Sequence, residues 1–161
     1  MDAPLSAAAD PAPLASDHKK AVSVLAFLEP EEANRLAALC RQEVLAAGEV
    51  VMADDKPGEF LAFVINGKLA VKKSTVFPGR FILLAEIERG GMVGEGAAVC
   101  GDGHGTTVVA VEKTRLLILD RQQLLRLFSE DQVLAQKLLT RIIQVLRQRL
   151  RSAGERLSWI L

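Results

Sequence analysis

The sequence predicts a mainly β domain with helices at both ends, on three observations. From Val44 to Asp120 it runs as short, β-prone segments split by turn residues with no long helical pattern between them, which means an antiparallel sandwich or barrel. Before and after that block the apolar spacing lengthens to the helical one. A glycine-rich stretch, Gly90 to Ala110, interrupts the strands, and seven of its first sixteen residues are glycine.

Composition bounds what such a domain can do. The chain has 161 residues, 50% of them hydrophobic, enough for one domain with a real core. Lys plus Arg equals Asp plus Glu at 20 each, so no global field recruits nucleic acid or a membrane surface. Two cysteines, Cys40 and Cys100, lack motif spacing, which fits a reducing compartment and argues against a disulfide scaffold or a zinc site. Met1-Asp2-Ala3-Pro4 lacks a basic leader region and no apolar run is long enough to span a bilayer, so a soluble cytoplasmic protein is expected.

In chain order, residues 1–16 are rich in Ala and Pro and are expected to form a flexible tail. The domain is expected to occupy 17–161, with helices over 17–43, a barrel over 44–120 and further helices over 121–161. Asp17 is placed to cap a helix carrying Val22, Val24, Leu25 and Leu28. Glu29-Pro30-Glu31-Glu32 restarts helix with Pro in the first turn.

The strands are expected around Val50-Val51-Met52, Leu61 to Ile65, Lys68 to Val71, Phe81 to Ile87, Thr106 to Val111 and Thr114 to Asp120. Asn66-Gly67 between two apolar runs reads as a tight hairpin with positive φ at both central residues. Gln122 to Phe128 reads as a short helix, and Ser129 with Gln132 as the capping box of the next.

That last helix places Leu139, Ile143, Leu146, Leu150, Ala153, Leu157 and Ile160 at alternating steps of four and three. The spacing is a coiled-coil seam and predicts a homodimer. A second row, Leu134, Leu138, Ile142 and Val145, is free to pack back on the barrel. Arg147, Arg149, Arg151 and Arg156 read as the solvated flank of the seam.

Within the glycine-rich stretch, Gly94-Glu95-Gly96-Ala97-Ala98 carries a bulky side chain only at its acid, so backbone there can lie against a ligand. Small residues leading into a short helical turn leave outward N–H groups of the kind that bind phosphate. Thr106 and Thr107 follow and open the run Val108-Val109-Ala110-Val111. From spacing alone, a plain glycine-rich loop joining two strands accounts for the same pattern.

Taken together, these segments resemble a cyclic nucleotide-binding domain, the module of cAMP-receptor regulators and protein kinase A regulatory subunits, over roughly residues 20 to 157. Ala46-Ala47-Gly48-Glu49-Val50-Val51 is similar to the family's opening strand. Lys56-Pro57-Gly58-Glu59 with Phe63-Val64-Ile65-Asn66-Gly67-Lys68 resembles its PGD…FV..G[RK] segment, and Ile87 to Glu95 its approach to the phosphate-binding cassette. The resemblance implies a double-stranded β-helix (jelly-roll) barrel with N-terminal helices and a long C-terminal helix.

It further implies that Glu95 takes the ribose 2′-hydroxyl and that the amides around Gly94, Gly96, Ala97 and Ala98 take the cyclic phosphate. Thr107 and Thr106 are assigned to phosphate or base contacts. The family's clamping Arg falls on His104, and its base-contacting Thr-Ser pair on Ala153-Gly154. An imidazole donates singly where a guanidinium donates with two prongs.

The expected function is a non-catalytic sensor that binds a cyclic nucleotide, most simply cAMP, and signals through its dimerisation helix. The alternative is a degenerate member that binds no nucleotide and serves as a dimeric interaction module. An enzyme is disfavoured, because only His18 and His104 are available and no metal-ligand cluster or catalytic pairing has the right spacing. DNA binding is disfavoured because no helix-turn-helix follows the long helix. The output then requires an unidentified protein partner or a change in assembly, with no cofactor beyond the nucleotide.

Overall fold

The computed structural model describes residues 15–161. Helices α1 (Ala15–Ser23) and α2 (Pro30–Ala38) lead into strands β1 (Arg41–Leu45), β2 (Val50–Met52), β3 (Phe60–Asn66), β4 (Leu69–Ser74), β5 (Phe81–Ile87) and β6 (Met92–Val93). Helix α3 (Glu95–Cys100) follows, then β7 (Thr107–Ala110), β8 (Thr114–Asp120), α4 (Arg121–Glu130) and α5 (Gln132–Ile160). Two antiparallel four-stranded sheets form, in the orders β1-β8-β3-β6 and β2-β7-β4-β5. The mainly β jelly-roll with flanking helices and a long closing helix is as the sequence predicts.

The core has two compartments, and β3 explains why. Its run Leu61-Ala62-Phe63-Val64-Ile65 is buried throughout, so alternate side chains must serve two faces. Ala62 and Val64 face the barrel interior with Leu116 and Ile118 of β8 and with Leu69, Val108 and Ala110 of the opposite sheet. Leu61, Phe63 and Ile65 face outward with Leu117 and Leu119, and there they meet Leu25, Leu36, Leu124, Leu134 and Leu138 of the helices. The helices therefore cover one sheet, while the other forms the far wall of the barrel.

Four local expectations are corrected. Residues 1–14 of the expected tail lie outside the described residues, and α1 begins at Ala15, so Asp17 sits in the first turn rather than at the cap. There Asp17 pairs with Arg115 of β8 at 3.1 Å. Strand starts at Arg41, inside the stretch expected to be helical, because residues 41–45 make a full ladder with β8 from Arg41↔Ile118 to Leu45↔Thr114. Asp131, not Ser129, caps α5 by accepting from the Leu134 amide at 3.2 Å, and Ser129 lies within α4.

The fourth correction concerns Asn66-Gly67, which is not a hairpin. Strand β3 pairs with β6 and β8, and β4 pairs with β5 and β7, so the chain crosses between sheets at this point. Only Gly67 has positive φ, +97°; no non-glycine residue among those described does. The crossing runs tight against Thr114: a Cβ on Gly67 would lie 2.4 Å from its Oγ1 and 2.6 Å from its Cα. The fully buried Thr114 hydroxyl accepts from the Lys68 amide at 3.1 Å. The glycine signal is sound; its cause is a sheet-to-sheet crossing.

Helix α5 is held differently along its length. Leu134, Leu138 and Ile142 are buried in the helical compartment, and burial of such side chains is worth roughly 1.5–3 kcal/mol each. Beyond Val145 the apolar side chains face outward: Leu150 is 75% exposed, Leu157 59% and Trp159 88%. The edge strand β5 also presents Phe81, Ile82 and Leu83 to solvent.

Replacing Gly67 by Val tests the crossing. Both the positive φ and the contact with Thr114 oppose a β-branched side chain, so a loss above about 4 kcal/mol, exceptional for one substitution, is expected. Denaturant titration measures it, and an unchanged midpoint would show that the crossing adapts.

Candidate functional site

The glycine-rich stretch is a compact cassette built against the end of the barrel. Gly90 and Gly91 turn the chain by exchanging backbone bonds with Val64, each 2.9 Å. Gly94 precedes α3 with φ +77°, where a Cβ would meet Met52 Cε at 2.4 Å and the Phe60 carbonyl oxygen at 2.5 Å. Helix α3 then buries Glu95, Ala97 and Ala98, while Gly96 faces open space. The Lys56-Pro57-Gly58 loop closes on it from the other side. A Cβ on Gly58 would sit 2.3 Å from the Ala97 carbonyl carbon, and the Gly58 amide donates to the Asp102 carbonyl at 2.8 Å. Arg121 completes the frame by donating from Nε to the Ala98 carbonyl at 3.0 Å.

Glu95 is the chemical centre of this frame. It is 3% exposed, and a carboxylate so far from water needs partners. One oxygen, Oε1, accepts from the Arg149 guanidinium of α5, which also donates to the Met92 carbonyl. The other, Oε2, is buried with no hydrogen-bond partner among the described residues. Further along α5, Arg156 donates to the Leu84 carbonyl of β5 at 2.5 Å. Arg149 is thus not part of the solvated flank the sequence suggested, while Arg156 makes its contact and stays exposed.

They were legible in principle, since continuing the row Leu138, Ile142, Val145 by steps of four and three reaches 149, 152 and 156. The missed signal was a barrel-facing row that changes from apolar to cationic where it meets a buried acid.

His104 lies beside the Lys56-Pro57 loop, its amide 3.4 Å from the Lys56 carbonyl. Burial pushes its imidazole below the ordinary value, against smaller opposing pulls from the Pro57 carbonyl and the Asp102 and Glu59 carboxylates. It is therefore neutral at pH 7. Thr107 opens β7 opposite Lys72, on the row with Val109, while Val108 and Ala110 face the core. Thr106 precedes it, half-buried. Ala153 and Gly154 are exposed on α5. The structure places Glu95, Gly96, Ala97 and Ala98 on α3 with Gly94 just before it, and His104, Thr106 and Thr107 follow in the returning arm of the same cassette.

A family described as "Cyclic nucleotide-binding domain" matches residues 42–131. The chain belongs to that family. Among solved structures, a cyclic nucleotide-binding domain from Methylobacillus flagellatus has TM-score 0.82 at 20% identity, over 89% of this chain and 84% of that one. The catabolite activator protein of Thermus thermophilus has TM-score 0.71 at 26% identity, over 85% and 62% respectively. The regulatory domain of Toxoplasma gondii PKA, crystallised with cAMP, has TM-score 0.63 at 21% identity, over 79% and 47%. No relative was found among curated protein sequences.

Among the described residues no three His, Cys, Asp or Glu side chains converge as a metal site, and no helix is long and apolar enough to cross a membrane. Burial pushes the Cys40 thiol up to about 12, helped by the Asp120 carboxylate, which leaves it unreactive. Two open clefts of about 380 and 400 Å³ lie along the first half of α5, lined by residues such as Phe27, Gln136 and Thr140. Neither includes a cassette residue.

His104 gives the site a predictable pH response. Its folded pKa is lowered, so its stabilising contribution is fully present above the unfolded value of ~6.5 and is lost as pH falls through the folded one. Between about pH 7.5 and 5.5 the unmutated protein should lose more stability than His104→Gln. Denaturant midpoints at the two pH values measure this, and equal losses would contradict the burial argument.

Proposed function

We propose that this domain binds a cyclic nucleotide, most simply cAMP, between the cassette and α5, and reports occupancy through α5 as a homodimer. The observation that carries the reading is Glu95: a nearly inaccessible carboxylate whose Oε2 has no partner among the described residues. Leaving a buried acceptor unsatisfied costs about 1–3 kcal/mol, and a ribose hydroxyl is a donor suited to it. Gly96, beside it, is open where a side chain would stand in the way. Arg149 ties the same carboxylate to the long helix, so any ligand that takes hold of Glu95 competes with or reorients that tie. The distal half of α5, lacking apolar burial, is the part free to respond.

A second reading, a dimeric interaction module that binds no nucleotide, is favoured by His104, whose neutral imidazole stands where the family carries a guanidinium. Calorimetry separates the two. With cAMP, the unmutated domain should bind weakly, Glu95→Gln should bind undetectably, and His104→Arg should bind roughly ten-fold more tightly. If neither the unmutated protein nor His104→Arg binds cAMP or cGMP, the sensor reading fails and the interaction module stands.

The dimer is tested separately. The exposed seam through Ile143, Leu146, Leu150 and Leu157 is suited to a second copy of the same helix, with Leu139 at its start and Ala153 between Leu150 and Leu157. Sedimentation at tens of micromolar should give a dimer for the unmutated protein and a monomer for Leu150→Glu. A monomer in both cases would sink the seam.

A further inference from the structure

The returning arm of the cassette carries no arginine of its own, and its one imidazole, His104, is neutral and pulled on by the carboxylates of Asp102 and Glu59. Such a rim would repel a phosphodiester unless a cation came from elsewhere. Strand β4 brings one. Lys73 donates from Nζ to the Gly105 carbonyl at 2.5 Å, and a Cβ on Gly105 would lie 3.9 Å from that nitrogen.

The sheet register says which face this lysine is on. Strands β4 and β7 pair as Leu69↔Ala110, Ala70↔Val109, Val71↔Val108 and Lys72↔Thr107. Leu69, Ala110 and Val108 are core residues of the barrel interior, and Val71 packs against them. Successive side chains alternate across a strand, so Lys73 continues the interior row of Leu69 and Val71 to the barrel rim. One further step of the register sets it opposite Thr106, two residues beyond His104. The row thus carries an exposed ammonium at the rim, tied to the Gly105 carbonyl, and a half-buried hydroxyl on the neighbouring strand end.

We propose that Lys73 supplies the positive charge for the cyclic phosphate in this domain, with Thr106 alongside, in the role that the family gives to an arginine of the cassette itself. The ammonium leaves the Gly105 carbonyl, or shares itself with it, when a phosphodiester arrives. A lysine is a compact point charge on a flexible stem, so it holds the anion without the two-pronged geometry of a guanidinium. The assignment rests on the nucleotide reading above and adds to it the source of the charge.

The test is cAMP calorimetry on the full chain, unmutated and as Lys73→Gln and Lys73→Arg, with melting temperatures taken without ligand. Lys73→Gln is expected to bind at least ten-fold more weakly, Lys73→Arg to bind within a few-fold of the unmutated protein, and all three to melt alike. Added salt should weaken binding by the unmutated protein more than by Lys73→Gln.

Equal affinity for Lys73→Gln and the unmutated protein overturns the assignment while leaving the nucleotide reading intact. Loss of affinity in both variants together with a lowered melting temperature overturns it too, and makes Lys73 a structural tie to Gly105. Absence of cAMP binding by the unmutated protein overturns the nucleotide reading and this assignment with it.

Discussion

The contact on which the rest of the site depends is the ion pair between Glu95 and Arg149. A carboxylate 3% exposed is tolerated only where charge and donors offset its desolvation, and here the compensation comes from another element altogether, 54 residues along the chain. The pair ties α3 to α5, and the second Arg149 bond, to the Met92 carbonyl, ties β6 to the same helix. Apolar burial fastens the first half of that helix, while two arginine side chains fasten the second. The two halves therefore differ in kind: the first is held by area removed from water, the second by a few directional contacts that another donor can replace.

Rigidity on the cassette's other side comes from missing side chains. Gly58 against the Ala97 backbone and Gly94 against the Phe60 carbonyl leave no room even for a methyl group, so backbone packs on backbone at both points. A frame closed in this way transmits a push at one wall to the opposite one, because interiors at close-packed density yield little.

Much of this was legible in the sequence. The apolar runs of β3 and β8, the restart at Pro30 and the two rows of α5 all followed from period and turn chemistry, and the cassette was located by its glycines. What escaped was whatever depended on partners distant along the chain. Asn66-Gly67 has the composition of a hairpin, yet its flanking strands pair in different sheets, and no local pattern encodes that Thr114 lies above the glycine. Strand at Arg41–Leu45 was missed because its ladder partner, Thr114 to Ile118, lies far along the chain. Arg149 was read as solvated because an arginine is far more often so; only the buried acid opposite gives it a second meaning. Lys73 passed unnoticed for the same reason.

The placement of Trp159 has a spectroscopic consequence. It is the only tryptophan, and the chain has no tyrosine. It stands 88% exposed near the end of α5, away from both core compartments. Indole emission from this protein is therefore already that of a hydrated fluorophore in the native state, and melting of the barrel leaves it nearly unchanged. The same isolation makes it a clean reporter for the far end of the helix. A blue shift would mean that something apolar has come to rest against the last turn, with no background from the rest of the fold.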